Sequence, residues 1–327
     1  MTEPIRWGIA ATGNIARTFA TGLAQLDDAV IAAVGSRSGE RATEFAAAVG
    51  AERAHGSYED LAADDGVDVV YVASPHARHE ADTLLFLEAG RHVLCEKPMA
   101  LGRAQVERMI AAARAGGLFL MEAMWSRFLP SWQLARRLAA DGRIGEPLIV
   151  QADLGFRFPF DPAHRLFDRA LGGGAALHLG VYPVSFCSFL LGTPDSVVAQ
   201  GHVGETGVDE QFGAVLHHPG GRLGVVTGAA RASLSSTVRV TGSQGWLSLP
   251  AMMHGAAHVD VGDNAGGRER IETPYEGEGL RHQAVEVHRC LRAGLTESPV
   301  MPLDETAAIA GTLDAILAAV GVSYDVE

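Results

Sequence analysis

The chain has 327 residues, of which 47% are hydrophobic and 20% are charged, as is typical of a globular protein. Its 26 basic and 39 acidic residues give a net charge of −13, which argues against nucleic acid or an anionic membrane surface as the main partner. At roughly 150 residues per domain, this length predicts two domains.

The N-terminus runs into a predicted strand without a basic segment and an apolar stretch, so we expect no signal peptide and a cytoplasmic location. We expect no uncharged apolar run to reach the roughly 18 residues that a membrane span needs, and therefore no membrane-spanning segment. The chain has three widely spaced cysteines, Cys95, Cys187 and Cys290, which is an odd number. This spacing predicts buried structural thiols in a reducing compartment and no zinc site.

The first part of the chain alternates short apolar runs with helical patterns. Strands are predicted at residues 5–10, 30–34, 67–72, 92–94 and 119–121. Strands that alternate with helices of this length indicate βαβ units and a parallel sheet with right-handed crossovers. We therefore predict an N-terminal, doubly wound Rossmann domain over residues 1–123, and an α/β protein overall.

The remaining residues, 124–327, show a different pattern. A helix at 130–141, a strand at 148–157 and an apolar helix after Gly172-Gly173-Gly174 precede further strands at 197–203, 212–217, 222–227, 237–241 and 246–249. The turns contain many Gly and Pro residues, and His217-His218 is expected in an exposed hairpin. The pattern predicts an α+β domain with a large, mostly antiparallel open sheet.

Two helices are predicted near the end of the chain, at 283–293 and 305–320. Asp304 is the predicted N-cap of the last helix and Gly321 its end, and this helix could pack back on the first domain. The composition of residues 262–267 predicts a flexible stretch.

A candidate phosphate site lies where the first strand meets the first helix. Backbone N–H groups at a helix start and the helix dipole bind pyrophosphate well. The motif G-x-G-x-x-G is degraded here, because Ala11, Gly13 and Ala16 occupy its three glycine positions, and a plain tight turn is the alternative. The candidate cofactor-binding residues of this turn are Gly8, Ala11, Thr12, Gly13, Asn14 and Ile15.

The end of the second strand favours NADP over NAD. An NAD site usually has Asp or Glu there, whereas this chain has Ser36 and Arg37, followed by Arg41. A hydroxyl and guanidinium groups suit a 2′-phosphate, since Arg makes bidentate charge-assisted hydrogen bonds. The alternative is that Ser38 only caps a helix and Arg37 is a solvated surface charge.

A Glu96-Lys97-Pro98 motif follows the strand at 92–94, and so lies at the carboxyl edge of the predicted sheet, where ligands bind in α/β proteins. A lysine there can lower the pKa of a neighbouring acid or relay a proton. Pro98 fixes the backbone beside Lys97 and is a candidate for a cis peptide bond. The alternative is an ordinary surface lysine before a proline that starts a helix.

Several motifs in this order resemble the Gfo/Idh/MocA family of oxidoreductases. They are residues 8–16, Ser36-Arg37, residues 74–79, residues 92–98 and residues 172–175. Within this family, the chain is similar to the branch of dihydrodiol dehydrogenases and NADP-dependent D-xylose dehydrogenases, at residues 122–130, residues 180–183 and the ending at 321–324.

The resemblance implies hydride transfer between a nicotinamide and a carbon of a sugar, cyclic polyol or trans-dihydrodiol. Lys97 matches the catalytic lysine of the family, and Tyr182 matches its general acid/base. An open sheet that often makes dimer contacts implies a homodimer or a dimer of dimers. The resemblance also implies further residues at the cofactor or substrate, namely Ser74, Pro75, His76, His79, Glu96, Trp125, Arg127 and, in a loop at 156–169, Phe156. Core packing is the alternative for Trp125.

His178 departs from the family pattern, which commonly has Asp four residues before the catalytic Tyr or His. His178 and Tyr182 would share one helix face at i and i+4 spacing. Since neutral His both accepts and donates hydrogen bonds, it could hold the substrate differently from Asp or share the acid/base role. Plain packing of His178 is the third alternative. His76 and His79 with Cys95 lack a metal-ligand spacing, so we predict no metal.

Two other functions remain open. Some members of the family cleave glycosidic bonds by transient oxidation with bound NAD, and one is a dinucleotide-binding sensor without turnover. Ser36 and Arg37 argue against the first, and the presence of both Lys97 and Tyr182 argues against the second.

Overall fold

The computed structural model describes residues 3–324. They form two compact units. The first contains residues 3–100, 104–125 and 277–306, and the second contains residues 101–103, 126–276 and 307–324. A single boundary after residue 123 therefore leaves out the return of the chain to the first unit at residues 277–306.

The first unit is built on a six-stranded sheet with the order β3-β2-β1-β4-β5-β6, in which every pairing is parallel. This order confirms the predicted Rossmann fold, with the topological switch beside β1. The strands are β1 (Ile5–Ala10), β2 (Ala29–Gly35), β3 (Arg53–His55), β4 (Val69–Val72), β5 (His92–Glu96) and β6 (Leu120–Ala123). The helices between them are α1 (Asn14–Leu23), α2 (Gly39–Val49), α3 (Tyr58–Ala62), α4 (His79–Glu88) and α5 (Arg103–Gly116).

Aromatic rings fill the core of this unit between β1, α1 and β4. Trp7 and Phe19 pack edge to face with ring centroids 5.2 Å apart, and Phe19 stacks on Tyr71 at 3.9 Å. All three side chains are buried, and such rings contribute strongly to a core through their large apolar area. This packing fixes α1 against the sheet, and with it the turn between β1 and α1.

The second unit contains an eight-stranded sheet with the order β14-β13-β12-β11-β7-β10-β9-β8. The pairing of β7 with β10 is parallel and the other six pairings are antiparallel. This confirms the prediction of a mostly antiparallel sheet. The strands are β7 (Pro147–Gly155), β8 (Ser196–Val203), β9 (Asp209–His218), β10 (Arg222–Ala229), β11 (Val238–Gly242), β12 (Gly245–Leu249), β13 (His258–Asp263) and β14 (Arg268–Glu272).

One face of this sheet is covered by helical segments. They are α6 (Pro130–Ala140) and α7 (Val181–Leu191), which is preceded by a π-helical turn, Ala176–Gly180, called the π-turn below. Trp132 of α6 and Phe186 of α7 pack edge to face at 4.7 Å. The last two helices are α8 (Arg281–Arg292), in the first unit, and α9 (Leu303–Val320), most of which lies in the second unit.

The expectation about long apolar runs was wrong. The helical stretch Arg169–Leu191 is long and apolar enough to cross a membrane by length and composition, but 94% of its apolar window is buried inside the unit. A helical stretch that is buried to this degree belongs to the core, and a core helix needs apolar residues on all sides.

Other sequence expectations were corrected by local structure. Residues 262–267, predicted to be a flexible stretch, include the end of β13 and a turn in which Asp263 accepts hydrogen bonds from the N–H groups of Ala265 and Gly267. Asp304 lies inside the first turn of α9 and does not cap it. His218 is buried at the end of β9, while only His217 of the expected hairpin pair is exposed.

Candidate active site

The turn after β1 has the backbone that a dinucleotide site needs. Ala11 has a φ of 101°, a conformation in which glycine is favoured, and this explains the glycine usually found at its position. Its N–H donates to the carbonyl of Gly35 at 3.0 Å, which fixes the turn to the end of β2. Gly13 precedes α1 in extended conformation. Among residues 3–324, no side chain caps this helix, and no atom outside the adjacent backbone lies within 4 Å of where a Cβ of Gly13 would stand. The start of α1, at Asn14 and Ile15, is thus open to an anion.

The end of β2 presents a hydroxyl and two guanidinium groups. Ser36 is buried, and its Oγ accepts a hydrogen bond from the N–H of Ser38 at 3.3 Å. Ser38 does cap α2, since its Oγ accepts from the N–H of Arg41. Arg37 and Arg41 are exposed. The helix cap and a basic surface are therefore both present here.

The Lys97-Pro98 peptide bond is cis, as the sequence suggested. The preceding Glu96 is 6% exposed, and its carboxylate accepts hydrogen bonds from the Tyr71 hydroxyl and, at 3.2 Å, from the Lys97 N–H. On the other side, the N–H of Met99 donates to Glu122 at 3.1 Å. These two buried carboxylates hold the backbone on both sides of Lys97.

His79 links this segment to the loop after β4. It is fully buried, with Nδ1 2.9 Å from the carbonyl oxygen of Pro98 and Nε2 2.8 Å from that of Ser74. Burial lowers the pKa of His79, the two carbonyls oppose this effect, and the charge of Lys97 adds to the lowering. His79, predicted at the cofactor, therefore contacts the backbone of the motif at Pro98 and the backbone of the loop after β4 at Ser74. His76 packs on it with ring centroids 5.5 Å apart.

The first unit brings together most of the predicted cofactor residues, because four strands end in one row. The register places Gly35 beside Ala10, Ala10 beside Val72 and Val72 beside Cys95. The residues that follow these four positions, including Ala11, Ser36, Ser74 and Lys97, therefore lie along one carboxyl edge of the sheet. All three cysteines of the chain are buried and free, as predicted.

In the second unit, Tyr182 lies in the first turn of α7 and His178 in the π-turn before it. They are 7% and 8% exposed. The two residues keep the i, i+4 spacing, but the assumption of one regular α-helix through both was wrong, because a π-turn is wider than an α-turn. Such single π-turns occur frequently at functional sites.

No sequence pattern selected His254, which contacts Tyr182. Their ring centroids are 5.0 Å apart with an interplanar angle of 51°, and Phe156 lies edge to face with His254 at 6.2 Å. Three side chains bind consecutive carbonyls of this loop, namely Trp132 to Met253 at 2.9 Å, Ser126 to His254 at 2.6 Å and Tyr275 to Gly255 at 2.7 Å. His254 lies two residues after Met252, a non-glycine residue with positive φ, and no periodic sequence pattern marks the loop.

Arg127, predicted to bind the cofactor, contacts α7 through a buried guanidinium. Its guanidinium is fully buried and donates to the Ser185 hydroxyl at 2.9 Å and to the Ser185 carbonyl at 3.0 Å. It also lies over the ring of Phe189 at 4.8 Å. These contacts brace α7, the helix that carries Tyr182. Trp125, the last residue of the segment 104–125 of the first unit, is half-buried.

The first unit fits a nicotinamide dinucleotide by three features: the positive φ of Ala11, the open space at Gly13 and the uncapped start of α1. Among residues 3–324, no group of three or more His, Cys, Asp or Glu side chains could hold a metal ion.

Comparison with known proteins agrees with this description. Residues 5–124 match the oxidoreductase family with an NAD-binding Rossmann fold, and residues 132–248 match the GFO/IDH/MocA C-terminal domain. The fold and the nucleotide-binding turn thus define an oxidoreductase with an NAD(P)-binding domain. The chain belongs to the Gfo/Idh/MocA family.

Similar curated proteins include trans-1,2-dihydrobenzene-1,2-diol dehydrogenases. Those of Mus musculus and Homo sapiens are 38% and 36% identical to this chain over 332 residues, which cover 98% of both chains in each comparison.

Solved structures have the same fold. An aldose-aldose oxidoreductase from Caulobacter crescentus, complexed with glycerol, has a TM-score of 0.88 at 26% identity, over 97% of both chains. A 3-ketoreductase from Actinomadura kijaniata, in complex with NADP and TDP-benzene, has a TM-score of 0.87 at 26% identity, over 97% of this chain and 98% of the other. A levoglucosan dehydrogenase in complex with NADH, at 19% identity and a TM-score of 0.90 over 97% of both chains, shows the shared fold.

Proposed function

We propose that the protein is an NADP-dependent dehydrogenase or reductase that acts on a CH–OH carbon of a sugar, cyclic polyol or trans-dihydrodiol. The observation that carries this proposal is the row of strand ends at one edge of the first sheet, which aligns the turn at Ala11, the hydroxyl of Ser36 and the Lys97 segment. Ligands of open α/β sheets bind at such an edge, beside the topological switch.

The bound nicotinamide supplies the hydride acceptor or donor. In this proposal Lys97 and Tyr182 handle the proton of the substrate hydroxyl. A phenol with a reference pKa of about 10 needs a cation nearby to act as a base near neutral pH, and Lys97 is the proposed source of that charge. The Glu96 and Met99 hydrogen bonds keep the backbone of Lys97 fixed, so little reorganisation is needed during the reaction.

The preference for NADP rests on the end of β2. No acidic residue occupies positions 35–39, and Ser36, Arg37 and Arg41 offer a hydroxyl and two cations for a 2′-phosphate. The relatives include a reductase in complex with NADP and a dehydrogenase in complex with NADH, so they leave the choice open.

His254 and His178 are proposed to contact the substrate with Phe156 and Trp125. Tyr182, His254 and Phe156 form one row of rings in the second unit. Imidazoles can accept and donate hydrogen bonds to substrate hydroxyls, while the ring of Phe156 supplies an apolar surface.

The test is turnover by the purified protein with NADP or NADPH and a panel of aldoses, cyclic polyols and trans-dihydrodiols. We expect a change in the absorbance of reduced nicotinamide with at least one class, and a loss of at least about 100-fold in kcat for Lys97→Ala and Tyr182→Phe. Full turnover by Lys97→Ala would contradict the proposal. Tight binding of cofactor without turnover would favour a sensor, and cleavage of a glycoside with NAD would favour the glycosidase-type alternative.

The proposed assembly is a homodimer or a dimer of dimers in the cytoplasm. The outer face of the second sheet exposes Val198 and Val215, which lie opposite each other on β8 and β9 and are 71% and 43% exposed. Apolar residues grouped on an open sheet favour association. Sedimentation of the wild type and of Val198→Lys tests this, because the substitution should shift a dimer toward monomer.

A further inference from the structure

A turn of three glycines leads into the helical segment that carries His178 and Tyr182. Gly174 has a φ of 98°, and a Cβ there would stand 2.2 Å from Oδ1 of Asp209. At Gly173 a Cβ would stand 2.8 Å from the carbonyl oxygen of Leu166. The turn is therefore closed around a carboxylate, and a side chain at either position would open it.

Asp209 begins β9 and is 1% exposed. Its Oδ2 accepts a hydrogen bond from the N–H of Ala176 at 2.6 Å, at the first residue of the π-turn. Within residues 3–324 its Oδ1 has no hydrogen-bond partner. Burial raises the pKa of Asp209 to about 7, although the N–H groups of Ala175 and Ala176 partly oppose this rise. The carboxylate thus lies where a change of charge alters the start of the helical segment.

The end of the described chain closes on the same turn. The hydroxyl of Tyr324 donates to the carbonyl of Gly173 at 2.5 Å. The guanidinium of Arg169 lies 5.5 Å from the centre of the Tyr324 ring and donates to the carbonyl of Gly207 at 2.8 Å. Two motifs of the sequence, the three glycines and the ending at residues 321–324, are therefore parts of one structure.

Strand β9 also contacts the other end of the π-turn. A Cβ at Gly180 would stand 2.5 Å from Cζ of Phe212, three residues after Asp209. The π-turn is thus fixed at Ala176 by the carboxylate and at Gly180 by a ring from the same strand. Because Tyr182 follows two residues later, a movement of β9 or of the turn moves its side chain.

We propose that Asp209 and Tyr324 are positioning residues for Tyr182, and that the carboxylate form of Asp209 holds the π-turn in its productive conformation. This inference rests on the proposed proton-transfer role of Tyr182. The ionised carboxylate accepts a stronger hydrogen bond from the Ala176 N–H than the neutral acid does. Its negative charge also interacts favourably with the positive end of the helix dipole.

The other charged groups around Asp209 have partners of their own. Asp168 accepts from the Ala170 N–H at 2.9 Å, and Glu210 lies 3.8 Å from Arg231. Arg169 lies over Tyr324, whose pKa is raised by burial and by the charge of Asp209. His178, in the π-turn itself, is also titratable, and the experiment must separate it from Asp209.

The experiment compares wild type, Asp209→Asn, Tyr324→Phe and His178→Asn in the full chain. With NADP and a reactive substrate, wild-type kcat is expected to fall as the pH drops below about 7, and Asp209→Asn should lose this acid limb. Both Asp209→Asn and Tyr324→Phe should lower kcat by about tenfold or more and leave the KM for NADP within about twofold. An acid limb that persists unchanged in Asp209→Asn would overturn the proposal, whether or not it disappears in His178→Asn.

A second measurement does not need turnover. Ultraviolet titration of phenolate, taken as the difference between each protein and its Tyr182→Phe counterpart, reports the ionisation of Tyr182 alone. We expect the midpoint to shift in Asp209→Asn and in Tyr324→Phe, and unchanged midpoints would overturn the inference. If the wild type turns over no substrate, the proposed function fails, while this titration still decides the role of Asp209. If Asp209→Asn does not fold, Tyr324→Phe, which removes one hydroxyl, carries the test.

Discussion

The imidazole of His79 contacts the carbonyl oxygens of Pro98 and Ser74, at 2.9 and 2.8 Å, from a fully buried position at the start of α4. The cis peptide after Lys97 and the loop after β4 are therefore joined by one side chain. A neutral imidazole has a single N–H and can donate to only one of the two carbonyls, and burial, which lowers the pKa of His79, favours this neutral form.

We expect His79→Leu to destabilise the protein and to reduce catalysis. The substitution leaves two buried carbonyls without this partner, which lowers the free energy of unfolding by about 1–3 kcal/mol, and it releases the Lys97 segment. The matched control is His92→Leu, since His92 accepts from the Phe119 N–H at 2.9 Å at the opposite end of β5. Urea unfolding should show losses in both variants, but kcat should fall about tenfold only in His79→Leu. Equal kcat in the two variants would contradict this.

We expect Arg37→Asp to change the preference between the two dinucleotides. A guanidinium bound to phosphate is worth about 1.5–3 kcal/mol, so the dissociation constant for NADP should rise at least about tenfold, while that for NAD changes little. Isothermal titration with both cofactors measures this. Arg137→Asp is the control, because it makes the same change of charge at an exposed position of α6 in the second unit. Loss of NAD and NADP binding to the same extent would indicate a general structural effect.

Ser185→Ala tests whether Arg127 braces α7. The loss of the Ser185 hydroxyl removes an acceptor from a fully buried guanidinium, which should lower the free energy of unfolding by about 1–3 kcal/mol. Ser131→Ala is the matched control, because the buried Ser131 hydroxyl has no hydrogen-bond partner within residues 3–324. That variant should be nearly neutral in denaturant unfolding. Cofactor affinity should be unchanged in both, and a specific loss of it in Ser185→Ala would favour the predicted role of Arg127 at the cofactor.

The sequence predicted the elements whose patterns are long or strongly apolar. The five buried strands of the first sheet and the antiparallel β8–β12 region were located, because continuous apolar runs and Gly-Pro turns mark them. It missed β3, α3, β13 and β14. Arg53–His55 is a three-residue edge strand without apolar periodicity, and β14 is exposed and charged, so neither carries the pattern on which such predictions depend.

The candidate site was predictable where a local motif or a run of charges marks it. The turn at Ala11 and Gly13, the basic end of β2 at Ser36 and Arg37, and the cis peptide bond at Pro98 are of that kind. His254 was missed because its position depends on three hydrogen bonds from Trp132, Ser126 and Tyr275, which are distant in sequence. The π-turn was also missed, since i, i+4 spacing does not distinguish it from an α-helix.

The dependence of stability on pH can be tested at Asp64, beside β3. Burial alone would raise the pKa of Asp64, but hydrogen bonds from Arg53, His55 and the Gly66 N–H outweigh it and lower the pKa to about 2, from 3.8. A carboxyl with a lowered pKa stabilises the fold above its unfolded value, and this contribution is lost as the pH falls from about 4 through about 2. Asp64→Asn should therefore lower the free energy of unfolding by about 2 kcal/mol at pH 7, and the difference from wild type should shrink below about pH 4. Urea unfolding from pH 7 to pH 3 measures this, with Asp65→Asn as the control, because the Asp65 side chain is 99% exposed and its ion pair with Arg91 should contribute little. A difference that stays constant over this range would show that Asp64 stabilises the unit by packing or geometry and not through its charge.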